Sequence, residues 1–302
     1  MTNLKVNIAG VSFKNPVITA SGCFGFGREY ECMYPLEKLG GISLKGMTFQ
    51  EKLGNPPPRI AETPSGMLNS VGLQNPGVEH FLEHDMPYLA KQDTVKIANI
   101  AGSSIEDYCA IAERLSESEI DMVELNIACP NVKQGGAAFG TSCESAERVV
   151  KEVRKYAKKP MIVKLSPNVT DIVSIAKAVE AQGADAVSLI NTLLGMRIDI
   201  NTRRPILKNN VGGLSGPAIF PVAVRMVWQV ANAVKVPVIG MGGIEKWQDA
   251  IEMMMAGANA IQIGAAMFYN PMAPVQVIEG MRKWLEDNHI EDINEIVGSV
   301  RP

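Results

Sequence analysis

Short runs of apolar, β-branched residues recur along this chain, and each is followed by a longer stretch in which apolar positions return at helical spacing. The runs are PVITAS (16–21), GISLKG (41–46), KIANIAG (96–102), VELNIAC (123–129), MIVKLSP (161–167), AVSLINT (186–192), VPVIGMGG (236–243) and AIQIGAA (260–266). Segments such as DIVSIAKAVEAQG, FPVAVRMVWQVANAV and KWQDAIEMMMAGA lie between them with the pattern of helices. Near-continuous apolar strands alternating with helices predict a parallel sheet covered on its outside. Eight such units predict an α/β fold, a (β/α)₈ TIM barrel, with a doubly wound sheet as the alternative. LKVNIAGVSF, ahead of the first run, reads as a short N-terminal hairpin. No composition shift or low-complexity linker divides the chain, so residues 1–302 read as one domain.

The connections are unequal. Long Pro- and Gly-rich stretches follow the second strand (47–77), the fourth (130–140) and the sixth (193–216), all on one barrel face. Loops of this length in a compact domain are usually functional, and barrel sites lie at the C-terminal ends of the strands. Thr141 to Glu144 reads as a capping box that starts the next helix. Cys129 therefore opens a glycine-rich loop with the character of a lid.

Composition narrows the function. With 302 residues, 46% hydrophobic and 20% charged, the chain can bury a large core. A net charge of −3 without a long Lys/Arg cluster argues against nucleic acid or an anionic membrane as partner. No apolar run approaches a membrane span, and strand-like residues from Leu4 to Ile8 leave no room for a signal peptide. A cytoplasmic protein is expected. The cysteines (Cys23, Cys32, Cys109, Cys129, Cys143) lack CxxC spacing, so they read as free thiols rather than as a disulfide, zinc or iron–sulfur framework.

Polar residues interrupt the strands near their C-terminal ends: Ser21, Lys45, Asn99, Asn126, Lys164, Asn191 and Thr192. Any single Ser or Asn can be there to satisfy a backbone group. Contributions from six consecutive strands are harder to explain that way, and a lysine among Ile, Val and Leu needs an anion or a polar partner to offset desolvation. Strands seven and eight end instead in Gly242-Gly243 and Gly264-Ala265, and Gly216 precedes another helix. Backbone N–H groups at such turns make a phosphate site. The absence of GxGxxG and P-loop fingerprints argues against direct NAD or ATP binding. His80, His84 and His289 lie outside every strand end. The first two, at i and i+4, read as a solvated helix face more readily than as a metal pair, and no metal is expected. Cys129 is the candidate general base, since a thiol titrates near ~8.5 and can accept a proton if its surroundings help. Its alternative is a small buried hydrophobe. Lys164 also fits the Schiff-base lysine of a barrel aldolase.

The runs ASGCFGFG, GNPPPR, GMLNSVGLQNPG, ELNIACPNVKQGG with AFGT after it, VKLSPNVTDI, INTLLGMR, GGLSGPAI and GMGGI resemble, in order and over nearly the whole chain, the class 1B dihydroorotate dehydrogenase catalytic subunit. The resemblance implies an FMN-containing (β/α)₈ barrel that oxidises dihydroorotate to orotate in pyrimidine biosynthesis. It implies Cys129 as the base for the C5 proton while hydride leaves C6 for flavin N5. Lys45, Asn69, Asn126, Asn131, Asn191 and Thr192, with the backbone of Val71, Gly72 and Leu73, would hold the substrate. Ala20, Ser21, Lys45, Gly46, Asn99, Asn126, Lys164 and Ile190 would surround the flavin. Gly216, Gly242, Gly243, Gly264 and Ala265 would take its phosphate. A partner subunit with FAD and a [2Fe–2S] cluster would carry electrons to NAD⁺, the catalytic chains pairing as a homodimer within a heterotetramer. A class 1A enzyme passing electrons to fumarate shares the Cys base, but CFGFG and the AFGT loop resemble class 1B more closely. Two departures from the family pattern are Ala128, where Ser is usual before the Cys, and Ala265, where Thr is usual after the last-strand glycine.

Overall fold

The structure, a computed structural model, describes residues 2–128 and 139–301, so Cys129 and Asn131 lie outside the described residues. Strands β1 (Val6–Ile8) and β2 (Val11–Phe13) form the expected antiparallel hairpin. Ala9 and Gly10 between them both have positive φ, 51° and 86°, which gives a two-residue loop the twist the strands need. The Phe13 ring then packs against Gly41, where a Cβ would fall 2.9 Å from the ring edge.

The remaining strands, in chain order, are β3 (Val17–Thr19), β4 (Gly41–Ser43), β5 (Ile60–Thr63), β6 (Gly66–Asn69), β7 (Val95–Ile100), β8 (Met122–Asn126), β9 (Met161–Lys164), β10 (Ala186–Leu189), β11 (Leu193–Gly195), β12 (Ile198–Asp199), β13 (Arg204–Pro205), β14 (Gly212–Ser215), β15 (Val238–Met241) and β16 (Ala260–Ile263). Eight of them, β3, β4, β7, β8, β9, β10, β15 and β16, pair in parallel and close on themselves, β16 against β3. The fold is the (β/α)₈ barrel, and all eight apolar runs supply its strands. The strands are shorter than those runs: β3 ends before Ser21, β4 before Lys45 and β10 before Asn191 and Thr192. These polar residues leave the ladder and turn over the barrel mouth.

A single turn, α1 (Arg28–Glu31), and one continuous helical run, α2 (Val78–His80) and α3 (Met86–Leu89) joined through the π-helical residues Phe81–Asp85, precede the longer helices. Those are α4 (Ile105–Ser116), α5 (Cys143–Arg154), α6 (Ile172–Ala181), α7 (Phe220–Ala231), α8 (Trp247–Met255) and α9 (Ala273–Asp287), each packed on the next around the sheet. Helix α6 starts where Asp171 accepts the N–H groups of Val173 and Ser174. Helix α5 corrects the expected capping box: its N-cap is Ser142, one residue later than Thr141, and the Ser142 hydroxyl accepts from the N–H of Ser145.

Two of the long connections carry structure that period-2 patterning did not reveal. Residues of 47–77 and 193–216 join in a four-stranded antiparallel sheet of order β11-β14-β6-β5, and β12 pairs with β13 in a separate hairpin. Glycine makes this sheet possible. A Cβ on Gly213 would sit 2.6 Å from Thr192 Cβ, and one on Gly212 would sit 2.6 Å from the Asn69 carbonyl oxygen. Strands built on close backbone approach lack the apolar alternation that announces a strand.

Candidate active site

The barrel interior is apolar for most of its depth, yet Thr19, Ser43, Asn99, Glu124, Asn126, Lys164, Ser188 and Gln262 are all buried within it. Above them, at the C-terminal ends of the strands, opens a cavity roofed by the antiparallel sheet. Every described residue singled out from the sequence as a substrate or cofactor ligand lines it. Lys45, Asn69, Val71, Gly72, Leu73, Asn126, Asn191 and Thr192 contribute, and so do Ala20, Ser21, Gly46, Asn99, Lys164 and Ile190. Gly216, Gly242, Gly243, Gly264 and Ala265 form one end. Cys129 and Asn131 fall outside the described residues.

Hydrogen bonds hold the amides in place. Asn191 Nδ2 donates to the Ala128 carbonyl at 2.9 Å while its Oδ1 accepts the Thr192 N–H at 2.9 Å, which ties the end of β10 to that of β8. Asn126 Oδ1 accepts the N–H of Ala128 at 3.2 Å, and Tyr108 donates its hydroxyl to the Asn126 carbonyl at 2.8 Å. Ala128, the departure from the family pattern, is thus bound at both backbone groups and has no side chain to contribute. Gly46 must be glycine, since a Cβ there would lie 2.9 Å from Asn99 Oδ1.

The charged groups sit lower. Lys164 is 4% exposed, and no described residue offers its ammonium a hydrogen bond or a close ion pair. In the register Lys164 stands between Asn126 of β8 and Ser188 of β10. Beneath it, Glu124 has both carboxylate oxygens occupied: Oε2 by Ser43 Oγ at 2.9 Å and Asn99 Nδ2 at 2.6 Å, Oε1 by Ser188 Oγ at 2.8 Å and Gln262 Nε2 at 2.9 Å. Burial pushes its pKa up, but the Lys164 charge and the hydrogen bonds outweigh burial and hold it below the usual carboxylate range. The thiol of Cys23, which also lines the cavity, goes the other way. Its burial pushes the pKa up despite the charges of Lys164 and Lys45, so it stays protonated.

Glu124, Gln262 and Cys23 were not singled out from the sequence. Glu124 carried a visible signal, a carboxylate between Val and Leu in a core strand, which the desolvation argument applied to the lysines would have caught. Gln262 and Cys23 carried none, because an uncharged side chain in a strand or turn costs too little to stand out.

The far end of the cavity suits a phosphate. Gly242 and Gly243 have φ of 120° and 78°, which L side chains rarely adopt, and a Cβ on Gly243 would lie 2.7 Å from Phe220 Cβ. Gly264 leads into a short helical turn, Ala265–Phe268, and Gly216 into another, Pro217–Ile219. Among the described residues no acceptor meets the N–H of Gly243 or of Ala265. Free backbone donors at one end and, near the floor, an ammonium with no hydrogen-bond acceptor among the described residues match the donor set that a flavin mononucleotide needs. His80 and His84, by contrast, stack at 4.3 Å with both rings largely exposed, away from the cavity. Among the described residues no cluster of three His, Cys, Asp or Glu side chains could hold a metal.

Comparison with known proteins agrees with this geometry. The family model described as dihydroorotate dehydrogenase matches residues 3–285. Curated proteins named dihydroorotate dehydrogenase B (NAD(+)), catalytic subunit, are 59% identical in Alkaliphilus metalliredigens over 99% of both chains. Those of Alkaliphilus oremlandii and Lachnoclostridium phytofermentans are 58% and 55% identical, again over 99% of this chain and 99% and 100% of theirs. With the family model matched over residues 3–285 and relatives more than half identical along nearly the whole chain, the chain belongs to the dihydroorotate dehydrogenase family.

Proposed function

We propose that this chain is the FMN-binding catalytic subunit of an NAD⁺-linked dihydroorotate dehydrogenase, oxidising (S)-dihydroorotate to orotate in pyrimidine biosynthesis. The observation that carries the reading is the single cavity in which two lysines and four asparagines from different strand ends meet the glycine turns of β15 and β16.

FMN, when bound, would supply the two-electron acceptor, taking hydride at N5 from C6 of the substrate. The chain's own residues bind, orient and move the proton. The thiol of Cys129 removes the C5 proton; this role rests on the motif ELNIACPNV, since Cys129 lies outside the described residues. Lys45 attracts the substrate carboxylate. Asn69, Asn126, Asn131 and Asn191 suit a pyrimidine ring because one side-chain amide can meet both the N–H and the C=O of a ring amide. Thr192 and the backbone of Val71, Gly72 and Leu73 complete the substrate wall. Lys164 offsets the negative charge that reduction places on the isoalloxazine, with Ala20, Ser21, Gly46, Asn99 and Ile190 around the ring system. Gly216, Gly242, Gly243, Gly264 and Ala265 hold the phosphate through backbone N–H groups. Ala265 lacks the hydroxyl that a Thr would offer but keeps its N–H, so weaker FMN retention is the expected consequence.

The electrons leave through a second protein, a subunit carrying FAD and a [2Fe–2S] cluster, to NAD⁺. The words "catalytic subunit" in the relatives' names support a separate electron-transfer chain. Phe268 and Tyr269, 54% and 61% exposed, stand at the cavity rim where such a partner would dock.

The visible spectrum of the purified chain before and after anaerobic dihydroorotate tests the reading. Flavin bands that bleach on addition are expected. A colourless protein that binds no FMN, or flavin bands that dihydroorotate leaves unchanged, would overturn it, and an imine trapped by borohydride on Lys164 would favour the aldolase.

A further inference from the structure

Glu124 is the one buried carboxylate inside the barrel among the described residues, and the chemistry proposed above gives it no task. An acid in a strand flanked by Val123 and Leu125 is costly to keep ionised, and a stability role alone would be met as well by an apolar side chain. Instead four other barrel strands, only β7 of them adjacent to β8, each send one donor to it: Ser43 from β4, Asn99 from β7, Ser188 from β10 and Gln262 from β16. An ionised carboxylate only accepts, so it dictates how the two amides are turned. The Asn99 NH₂ faces Glu124, which leaves Asn99 Oδ1 as an acceptor toward Asn126 Nδ2 at 3.4 Å and the cavity. The Gln262 NH₂ faces Glu124 likewise, and Gln262 Oε1, though buried, finds no donor among the described residues. Among the described residues the cation that acts on the carboxylate is Lys164, through space rather than in a close ion pair.

We propose that Glu124 is a positioning residue that sets the electrostatics of the flavin cavity: its charge offsets that of Lys164 from below, and by taking the Asn99 NH₂ it turns Asn99 Oδ1 toward Asn126. The inference rests on the FMN reading above. The floor under the isoalloxazine is then a neutral pair of charges and not a bare cation. Reduction adds negative charge to the ring, which a bare Lys164 would favour strongly. Glu124 moderates that preference and keeps the bound flavin reducing enough to pass its electrons on.

The test is the midpoint potential of the bound flavin, measured spectroelectrochemically on FMN-loaded protein. Glu124→Gln keeps the shape and removes the charge. Its potential is expected to rise, by about tenfold or more in the ratio of reduced to oxidised flavin at a fixed applied potential, the scale of one unit charge at short range in a partly polar interior. Glu124→Asp keeps the charge and is expected to stay near the wild-type potential even if its melting temperature falls. A purely structural carboxylate would lower the stability of both variants and move neither potential. An unchanged potential in Glu124→Gln, or an equal rise in Glu124→Asp, overturns the proposal. If Glu124→Gln does not fold with its flavin, the comparison moves to Glu124→Met, which also removes the charge and asks for no hydrogen bonds. Its potential must lie above that of the wild type, and equality overturns the proposal. A wild-type chain that binds no FMN would overturn the functional reading and this inference with it, whereas a normal flavoprotein indifferent to Glu124 would overturn this inference alone.

Discussion

At the scale of the residue, burial and hydrogen bonding decide the protonation of Cys23 and of Glu124. Cys23 is half-buried at the cavity wall and desolvation pushes its thiol up, so the protonated form prevails and it offers no base. Cys129 is the thiol that the motif assigns to proton transfer. Replacing Cys129 with Ala is expected to leave FMN bound while slowing flavin reduction by ~10² or more, the usual scale for losing a general base. Cys129→Ser should keep part of the rate with its optimum moved to higher pH, which stopped-flow reduction across pH would reveal. Lys164→Met should lower the flavin potential or empty the site with the barrel intact, and redox titration with a flavin count distinguishes these from an uninvolved lysine. Glu124 adds a stability effect of known sign. Its folded pKa is depressed, so its contribution is full above the unfolded carboxylate value and is lost as pH falls through the folded one. Ser188→Ala removes one donor from that buried charge, and a loss of ~1.5–3 kcal/mol in denaturant unfolding is expected at neutral pH. Equal unfolding midpoints would show that the bond contributes nothing net.

At the scale of the element, two features position the site: the βα turns after β15 and β16, and the sheet across the mouth. In the first, Gly243→Ala is expected to reduce FMN occupancy, because φ is 78° and the added methyl meets Phe220 Cβ at 2.7 Å. Absorbance per chain after dialysis measures it. In the second, Gly213→Ala would drive a Cβ into Thr192 across β14. Thr192 lines the cavity but lies far from the phosphate turns in the chain, so orotate binding should weaken by about tenfold, the scale of a displaced contact worth ~1.4 kcal/mol, with FMN retained. Isothermal titration with orotate checks this, and wild-type affinity would mean that the roof tolerates the shift. The barrel strands were legible because each is apolar on both faces and bounded by turn residues. The roof was not, since its strands are short, rich in glycine and paired across about 140 residues of sequence, as Leu68 with Leu214. The start of α5 illustrates a smaller limit. Thr141 and Ser142 are both competent caps, and the hydroxyl that meets the Ser145 N–H is chosen by backbone conformation.

At the scale of the whole molecule, reduced FMN must be reoxidised on each turnover, and no dinucleotide fingerprint is present in the chain. The isolated protein is therefore expected to oxidise dihydroorotate with artificial acceptors and to reduce NAD⁺ only when its electron-transfer partner is added. Brisk NAD⁺ reduction by the chain alone would refute the two-protein scheme, and fumarate-dependent turnover would move it to the class 1A type. Leu194, Met196, Ile198 and Ile200 stay exposed on the roof and its hairpin, Ile200 at 84%. An apolar set of this kind suits the pairing of two catalytic chains. If the homodimer expected from the sequence forms through this set, Ile200→Asp weakens it at least tenfold by desolvating a charge, read by sedimentation. An unchanged dimer constant would place the interface elsewhere. No helix among the described residues is long and apolar enough to cross a membrane.

Local pattern determined the eight strands, the helices between them, the glycine turns and the set of polar strand ends. It could do so because burial on both faces, helical period and the need for a charge to find a partner are each written in neighbouring residues. Tertiary structure decided what depends on distant residues meeting. It joined β5 and β6 to β11 and β14 as a roof, left Cys23 half-buried and protonated, and converged Ser43, Asn99, Ser188 and Gln262 on Glu124. A barrel brings the side chains of successive strands into shared layers only when it closes. The partners of a buried charge there are set by the register of closure, which no single stretch of sequence contains.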